Sequence, residues 1–257
     1  MLRLRPRSFL IVLLSLTLLA GAGAPAIAQD ATPTGGEVTI LGPDESYAGA
    51  TLGEWDAHWW QWAGSLPPEI NPGVNVTGEA CGYGQSGPVF FLPGDFMGEP
   101  VTTPTICVVP EGTAIFVSVA GNSCTTVEPP PYFGRNEEEL RACAAAATDG
   151  VTDIQASING EEVPDLETYR TTSPLFSLAF PEDNIYGVPA GVALAVADDY
   201  SFFIAPPAPG EYEIAASALY DGEVTLGRTI RVVVEAPQVI EPEATPVASP
   251  EAATPVA

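Results

Sequence analysis

A glutamate, the only histidine and a tryptophan stand close together in the run Thr51-Leu52-Gly53-Glu54-Trp55-Asp56-Ala57-His58-Trp59-Trp60-Gln61-Trp62. If this run is helical, Glu54 lies one turn before His58 and can orient its ring, the arrangement a general base or a metal ligand would use. The plainer alternative is a surface pair that serves solubility and capping, because a reaction site needs more than two convergent groups. Trp60 and Tyr83 offer aromatic surface for a sugar or another flat ligand, with Gln85 as a polar neighbour. Here the alternative is that Trp60 simply covers a sheet edge or the loop that follows. Glu54, His58, Trp60, Tyr83 and Gln85 are thus the candidate ligand-binding residues, and no catalytic set, metal centre or cofactor is expected.

Other chemical patterns are weaker. Gly84-Gln85-Ser86-Gly87 has the first half of a nucleophile elbow. The closing glycine is replaced by Pro88, and a strand rather than a helix is expected next. Asp198-Asp199 is the closest acidic pair, short of the ligand cluster that calcium needs. Asn75-Val76-Thr77 fits a glycosylation acceptor, a short and frequent pattern. No phosphate loop, dinucleotide fingerprint or zinc-protease helix is present.

The chain has 257 residues, with 8 basic and 33 acidic side chains, and no lysine. Residues 1–28 read as a secretory signal. Arg3, Arg5 and Arg7 precede an apolar stretch, and Ala26-Ile27-Ala28 supplies the small residues a signal peptidase needs. Cleavage there leaves a net charge of −28, since three arginines lie in the signal and no acid does. Such a chain repels phosphate backbones and anionic headgroups, so neither nucleic acid nor an anionic membrane surface is an expected partner. No later segment is apolar for long enough to span a bilayer.

The four cysteines, Cys81, Cys107, Cys124 and Cys143, read as two disulfides in an oxidising compartment. Three connectivities are possible. Cys81 with Cys107 and Cys124 with Cys143 is favoured, because short loops cost least to close. Zinc ranks below, without Cys-x-x-Cys spacing or further histidines.

The elements that must position these groups can be outlined in order. Residues 29–36 form a flexible leader, 37–235 a single β-rich domain, and 236–257 a Pro-, Ala-, Glu- and Thr-rich tail expected to be disordered. A short strand is expected at Glu37–Leu41. A helix then starts at Thr51, whose hydroxyl and Glu54 make a capping box. Leu52, Trp55, Trp59, Trp62 and Leu66 share one helical stripe, with Trp60 on the other side. Strands follow at 88–92, 105–109 and 113–119, then a helix from Asn136 with a second cap signal at Glu139. Beyond 151 the expectation is β: a strand to Ile158 with an Asn159-Gly160 turn, a strand at 200–205, and a hairpin over 211–235 about Asp221-Gly222. The fold class is mainly β: an antiparallel β-sandwich with a Trp-rich N-terminal helix, a second short helix and two disulfides.

Several rare residues recur here in one order: Trp59-Trp60-Gln61-Trp62, Ser65-Leu66-Pro67, Asn71-Pro72, Cys81, Gln85 to Leu92, Gly94, and Cys107-Val108-Val109-Pro110 with Gly112 and Phe116. In this the chain resembles a family of exported bacterial proteins of unknown function. Weaker likeness continues through Tyr169-Arg170, Ser173 to Phe176, Asp199-Tyr200 and Pro209 to Ile214. The resemblance implies secretion, a Cys81–Cys107 bridge and a single domain, and it implies no reaction. Members often carry histidine where Tyr212 stands, so no role for that histidine carries over. The function expected is that of a secreted protein (extracellular, periplasmic or envelope-associated) that binds a glycan, small ligand or protein partner without catalysis. A hydrolase of extracellular or envelope polymers and a structural surface protein are the alternatives.

Overall fold

The computed structural model describes residues 34–75, 79–96 and 105–236. The expected signal, most of the leader, the tail beyond 236 and the Val76-Thr77 part of the glycosylation pattern lie outside these residues.

Helix α1 spans Leu52–Ser65 and begins as its sequence requires. The Thr51 hydroxyl accepts from the Glu54 N–H, and the Glu54 carboxylate accepts from the Thr51 N–H at 2.8 Å, so two otherwise orphaned donors are satisfied reciprocally. At the other end Pro67-Pro68 cannot continue the ladder. The buried Asn71 amide donates to the Ala63 carbonyl at 2.8 Å.

Ten strands form two five-stranded sheets. The first contains β1 (Val89–Phe91), β3 (Ala114–Thr125), β8 (Gly191–Ile204), β6 (Arg170–Thr172) and β7 (Phe176–Phe180). The long β8 serves both β6 and β7 along one edge and β3 along the other. The second sheet runs β2 (Thr105–Pro110), β10 (Val224–Glu235), β9 (Gly210–Tyr220), β4 (Val151–Ile158), β5 (Glu161–Glu162). Most pairs are antiparallel. β1 with β3 and β2 with β10 are parallel, because the chain alternates between sheets from β1 to β2 to β3 and re-enters each in the same sense. Both expected turns are present. Asn159-Gly160 and Asp221-Gly222 take positive φ at both residues, the condition for a tight hairpin turn.

Side-chain alternation divides the first sheet between two cores. Ile115, Val117, Phe202 and Ile204 meet Val109, Tyr212, Ile214 and Val232 of the second sheet. Phe116, Phe203 and Leu178 face the other way and meet Trp59, Trp62 and Leu66 of α1. The first sheet is thus covered on both faces, and Phe202-Phe203-Ile204 reads as an unbroken apolar run for that reason. Helix α2 (Glu137–Thr148), capped by the Asn136 side chain, packs Leu140 and Ala144 against Val196 of the same sheet. The disulfides join Cys81 to Cys107 and Cys124 to Cys143. The first fastens the loop before β1 to β2, and the second fastens α2 to the end of β3.

Two expectations need correction. The strand over Glu37–Leu41 reduces to a bridge between Ile40 and Ile204, because Gly42-Pro43 on one side and Pro206-Pro207 on the other stop further pairing. Trp60 does not lie on an outer face. It is only 7 % exposed and packs edge-on against Trp59 at 5.0 Å. Only Glu54, His58 and Ser65 of α1 are exposed, and Trp55 and Gln61 are partly so. The helix is sunk into the fold, not laid upon it.

Candidate functional site

The indole rings show where polarity is left over. The Trp55 N–H donates to the Tyr47 carbonyl, that of Trp59 to Leu92 and that of Trp62 to Tyr83, each at 2.8 Å. The Trp60 Nε1–H, equally buried, has no partner in hydrogen-bonding geometry. It lies close enough to the Asp199 carboxyl to hold it down somewhat, without forming a well-made bond.

Asp199 reaches this position through the alternation of β8. Ala193, Ala195, Ala197 and Phe203 all belong to the face that meets α1, and Asp199 shares their phase. The small alanines make room for the indoles. Opposite Asp199, β3 bulges between Ser118 and Ala120, and Gly121 passes so close that a Cβ there would sit 2.5 Å from Asp199 Cα. The Ser118 hydroxyl bonds the Asp199 carboxyl at 3.1 Å. Burial nevertheless raises Asp199 to about 8; Ser118 opposes the shift, and the neighbouring Asp198 charge adds to it.

Asp56 on α1 is more extreme. It is fully buried, and neither carboxyl oxygen has a hydrogen-bond partner. Burial first, then Asp199 and Asp198, push its carboxyl well above the usual carboxylate range. An ionised carboxylate in such a place carries a heavy desolvation cost, so burial favours the neutral acid at Asp56. Asp198 shows the opposite solution one residue from Asp199. Its side chain turns to the α2 side of the sheet, where Arg170 pairs with it at 2.6 Å and Thr172 donates to it.

Beside Trp60 and Asp199 lies a cleft of about 710 Å³. Its walls come from α1 (Trp59, Trp60), the segment after β1 (Leu92 to Phe96), β3 beyond its pairing with β1 (Val117 to Ser123) and the second sheet (Ile214, Leu226, Arg228, Ile230). Glu128 and Tyr186 complete it. Burial raises Glu128 to about 7, while a bond with Thr125 opposes the shift; its Oε2 is buried without a partner. The Tyr186 hydroxyl is buried with no partner in hydrogen-bonding geometry; burial, then the Glu128 charge, raises its pKa, and the nearby Ser123 hydroxyl opposes the shift. Arg228 also lines the cleft: Nη1 donates to the Pro72 carbonyl at 2.6 Å and Nη2 to that of Gly73 at 3.1 Å, while its Nε is buried without a partner.

The five residues expected at a site are not brought together. Trp60 lines the cleft. Glu54 is consumed by the helix cap, and its bonds to Thr51 lower its pKa. His58 is exposed, contacts Gln61 at 3.1 Å and stands edge-on to Trp55. Tyr83 is exposed and supplies its carbonyl to Trp62. The Gln85 amide donates to the Phe91 carbonyl at 2.8 Å and accepts from the Phe91 N–H at 3.0 Å, a clamp on β1. Besides Trp60, the Asp198-Asp199 pair is the sequence signal that touches the cleft, through Asp199; Asp56 and Glu128 carry none. Among the described residues no three His, Cys, Asp or Glu side chains converge as metal ligands.

Comparison with known proteins adds no identity to this geometry: no protein-family model matches the chain, and neither a curated protein nor a solved structure does.

Proposed function

We propose that the chain is an exported, non-enzymatic binding module whose ligand occupies the cleft beside Trp60. The observation that carries this is a roomy cleft bordered by buried polar groups left without partners: the Trp60 indole N–H, the Tyr186 hydroxyl and Glu128 Oε2. Buried polar atoms are nearly always paired, and groups that wait for a partner beside a cavity are what a binding site presents. Export is supported by the leader at residues 1–28 and by two disulfides, which persist in oxidising compartments. The residues Trp59-Trp60-Gln61-Trp62 and Gln85-Ser86-Gly87-Pro88 support kinship with the exported family described above.

The test is a screen of glycan fragments and small molecules by thermal shift and tryptophan fluorescence, repeated with Trp60→Phe. That substitution keeps an aromatic ring in place and deletes the donor. Loss of a hydrogen bond worth ~1–2 kcal/mol predicts roughly tenfold weaker binding with the circular dichroism spectrum unchanged. Equal affinity in both proteins would remove Trp60 from the site.

One observation favours a second reading, hydrolysis of an extracellular or envelope polymer. Glu128 and Asp199 border the same cleft, with carboxyls raised to about 7 and about 8. Acid–base chemistry uses carboxyls tuned to that range. Turnover of a polymer, abolished by Glu128→Gln or Asp199→Asn with binding retained, would establish it.

A further inference from the structure

Acidic residues outnumber basic ones around the cleft. Asp95, Glu128 and Asp199 stand on its lining against a single basic residue, Arg228. That guanidinium is held by the Pro72 and Gly73 carbonyls and feels the charge of Asp95, whose carboxylate also accepts from the Gly227 N–H at 3.1 Å. Among the described residues every ion pair involves an acid other than Glu128 and Asp199. Asp198, by contrast, is paired with Arg170 and accepts from Thr172.

The rest of the wall is aromatic and aliphatic: Trp60, Phe96 and Tyr186, with Val117, Ile214 and Leu226. Aromatic faces attract cations, and do so most strongly where water is excluded. The net charge of −28 beyond residue 28 draws cations toward the protein from a distance. The volume of about 710 Å³ far exceeds one ammonium group, and the aliphatic wall suits a carbon body better than a bare metal ion.

Resting on the binding function proposed above, we propose that this cleft takes an organic cation, an ammonium on an apolar body, seated against Glu128 and Asp199 under the aromatic wall. The ammonium supplies the counter-charge the chain omits there. The two carboxyls then ionise as the ligand enters, so binding near pH 7 releases protons. Asp56 and Asp198 face or adjoin Asp199, and Thr125 and Tyr186 adjoin Glu128; none of them can supply a positive charge.

The test titrates three probes into the full chain: benzyltrimethylammonium, its neutral carbon isostere neopentylbenzene, and the anion 3-phenylpropanoate. Tryptophan fluorescence and calorimetry in two buffers of different ionisation heat give affinity and proton release. The quaternary ammonium does not itself titrate, so any released proton comes from the protein. The expected result is saturable binding of the cation at least tenfold tighter than the neutral isostere, with proton release. Glu128→Gln should weaken the cation tenfold or more and leave the neutral probe unchanged. Because Glu128 is partly exposed, this variant is the safer fold; Asp199→Asn, checked for cooperative unfolding, is the second. Neutral or anionic probes binding as tightly as the cation would overturn the cation proposal and leave the binding cleft standing. Saturable binding by none of the three would overturn the cation proposal and count against the cleft as well.

Discussion

The two faces of the first sheet are built from the same strands and have opposite chemistry. Toward the second sheet, Ile115, Val117, Phe202, Ile204, Ile214 and Val232 form an apolar interior, and the Tyr212 hydroxyl at its margin donates to the Ala208 carbonyl. Toward α1, equally large rings surround Asp56, Asp199 and the Trp60 N–H, which are buried and poorly satisfied. Buried polar groups without partners cost stability. The fold places Asp56, Asp199 and the Trp60 N–H on the α1 side, while the cleft draws its walls from both sides, Trp59 and Trp60 from α1 and Ile214, Arg228 and Ile230 from the second sheet.

The comparison is tested most severely by removing one large ring from each face. Phe202→Ala and Trp59→Ala should each cost ~3–5 kcal/mol in chemical denaturation. They should differ in pH dependence. Trp59→Ala admits water beside the acids and should flatten the fall in stability with pH, whereas Phe202→Ala should leave that slope alone. Equal slopes would mean that the acids do not belong energetically to the α1 face. The next largest effect belongs to the bridge that fastens α2. Replacing Cys124 and Cys143 together by alanine should cost ~3 kcal/mol in the chain-entropy model while sparing ligand binding at the cleft.

The acids themselves give a pH prediction with a definite sign. Asp199 moves from an ordinary 3.8 to about 8 on folding, Glu128 from 4.5 to about 7, and Asp56 moves in the same direction. A carboxyl raised on folding contributes stability that is fully present below its unfolded pKa and is lost as pH rises through the folded value. The melting temperature should therefore fall between about pH 4 and pH 8. Asp56→Asn removes one ionising group and should gain ~1–3 kcal/mol at pH 8, with little change at pH 4. A melting curve whose pH dependence is identical in that variant would show that Asp56 pays no desolvation cost. The smallest effect is local: Thr51→Ala breaks the cap of α1 and should cost ~1 kcal/mol at every pH.

Much of this architecture could be read from local chemistry. The Thr51–Glu54 cap, the Asn136 cap, the two tight turns and the short-loop pairing of cysteines each depend on neighbours in sequence, and each is present. The first half of β8 was not legible, because Ala193, Ala195 and Ala197 carry no β signal of their own; they are small to accommodate the indoles of α1. β6 and β7 were missed as short segments that exist by pairing with β8. The site was least legible of all. Helical periodicity puts Trp60 on the other side of α1 from the main stripe, and that side too is buried, with Phe96 of the segment after β1 packed against the indole. Glu54, His58, Tyr83 and Gln85 stand out as polar or aromatic residues near the indoles, yet they serve as cap, surface, carbonyl acceptor for the Trp62 N–H and strand clamp. Asp56 and Asp199 meet only through the packing of α1 on β8, a long-range contact that no local pattern announces.

The claim on which the rest depends is that the acids beneath α1 titrate above the ordinary carboxylate range. Carbon-13 NMR of the aspartate carboxyls across a pH titration reads this directly, with Asp56→Asn and Asp199→Asn to assign the signals. The account predicts one carboxyl titrating near 8 that disappears in Asp199→Asn, and a second, lost in Asp56→Asn, titrating above the ordinary carboxylate range. Every aspartate of the folded protein titrating in the ordinary range around 3.9 would contradict it.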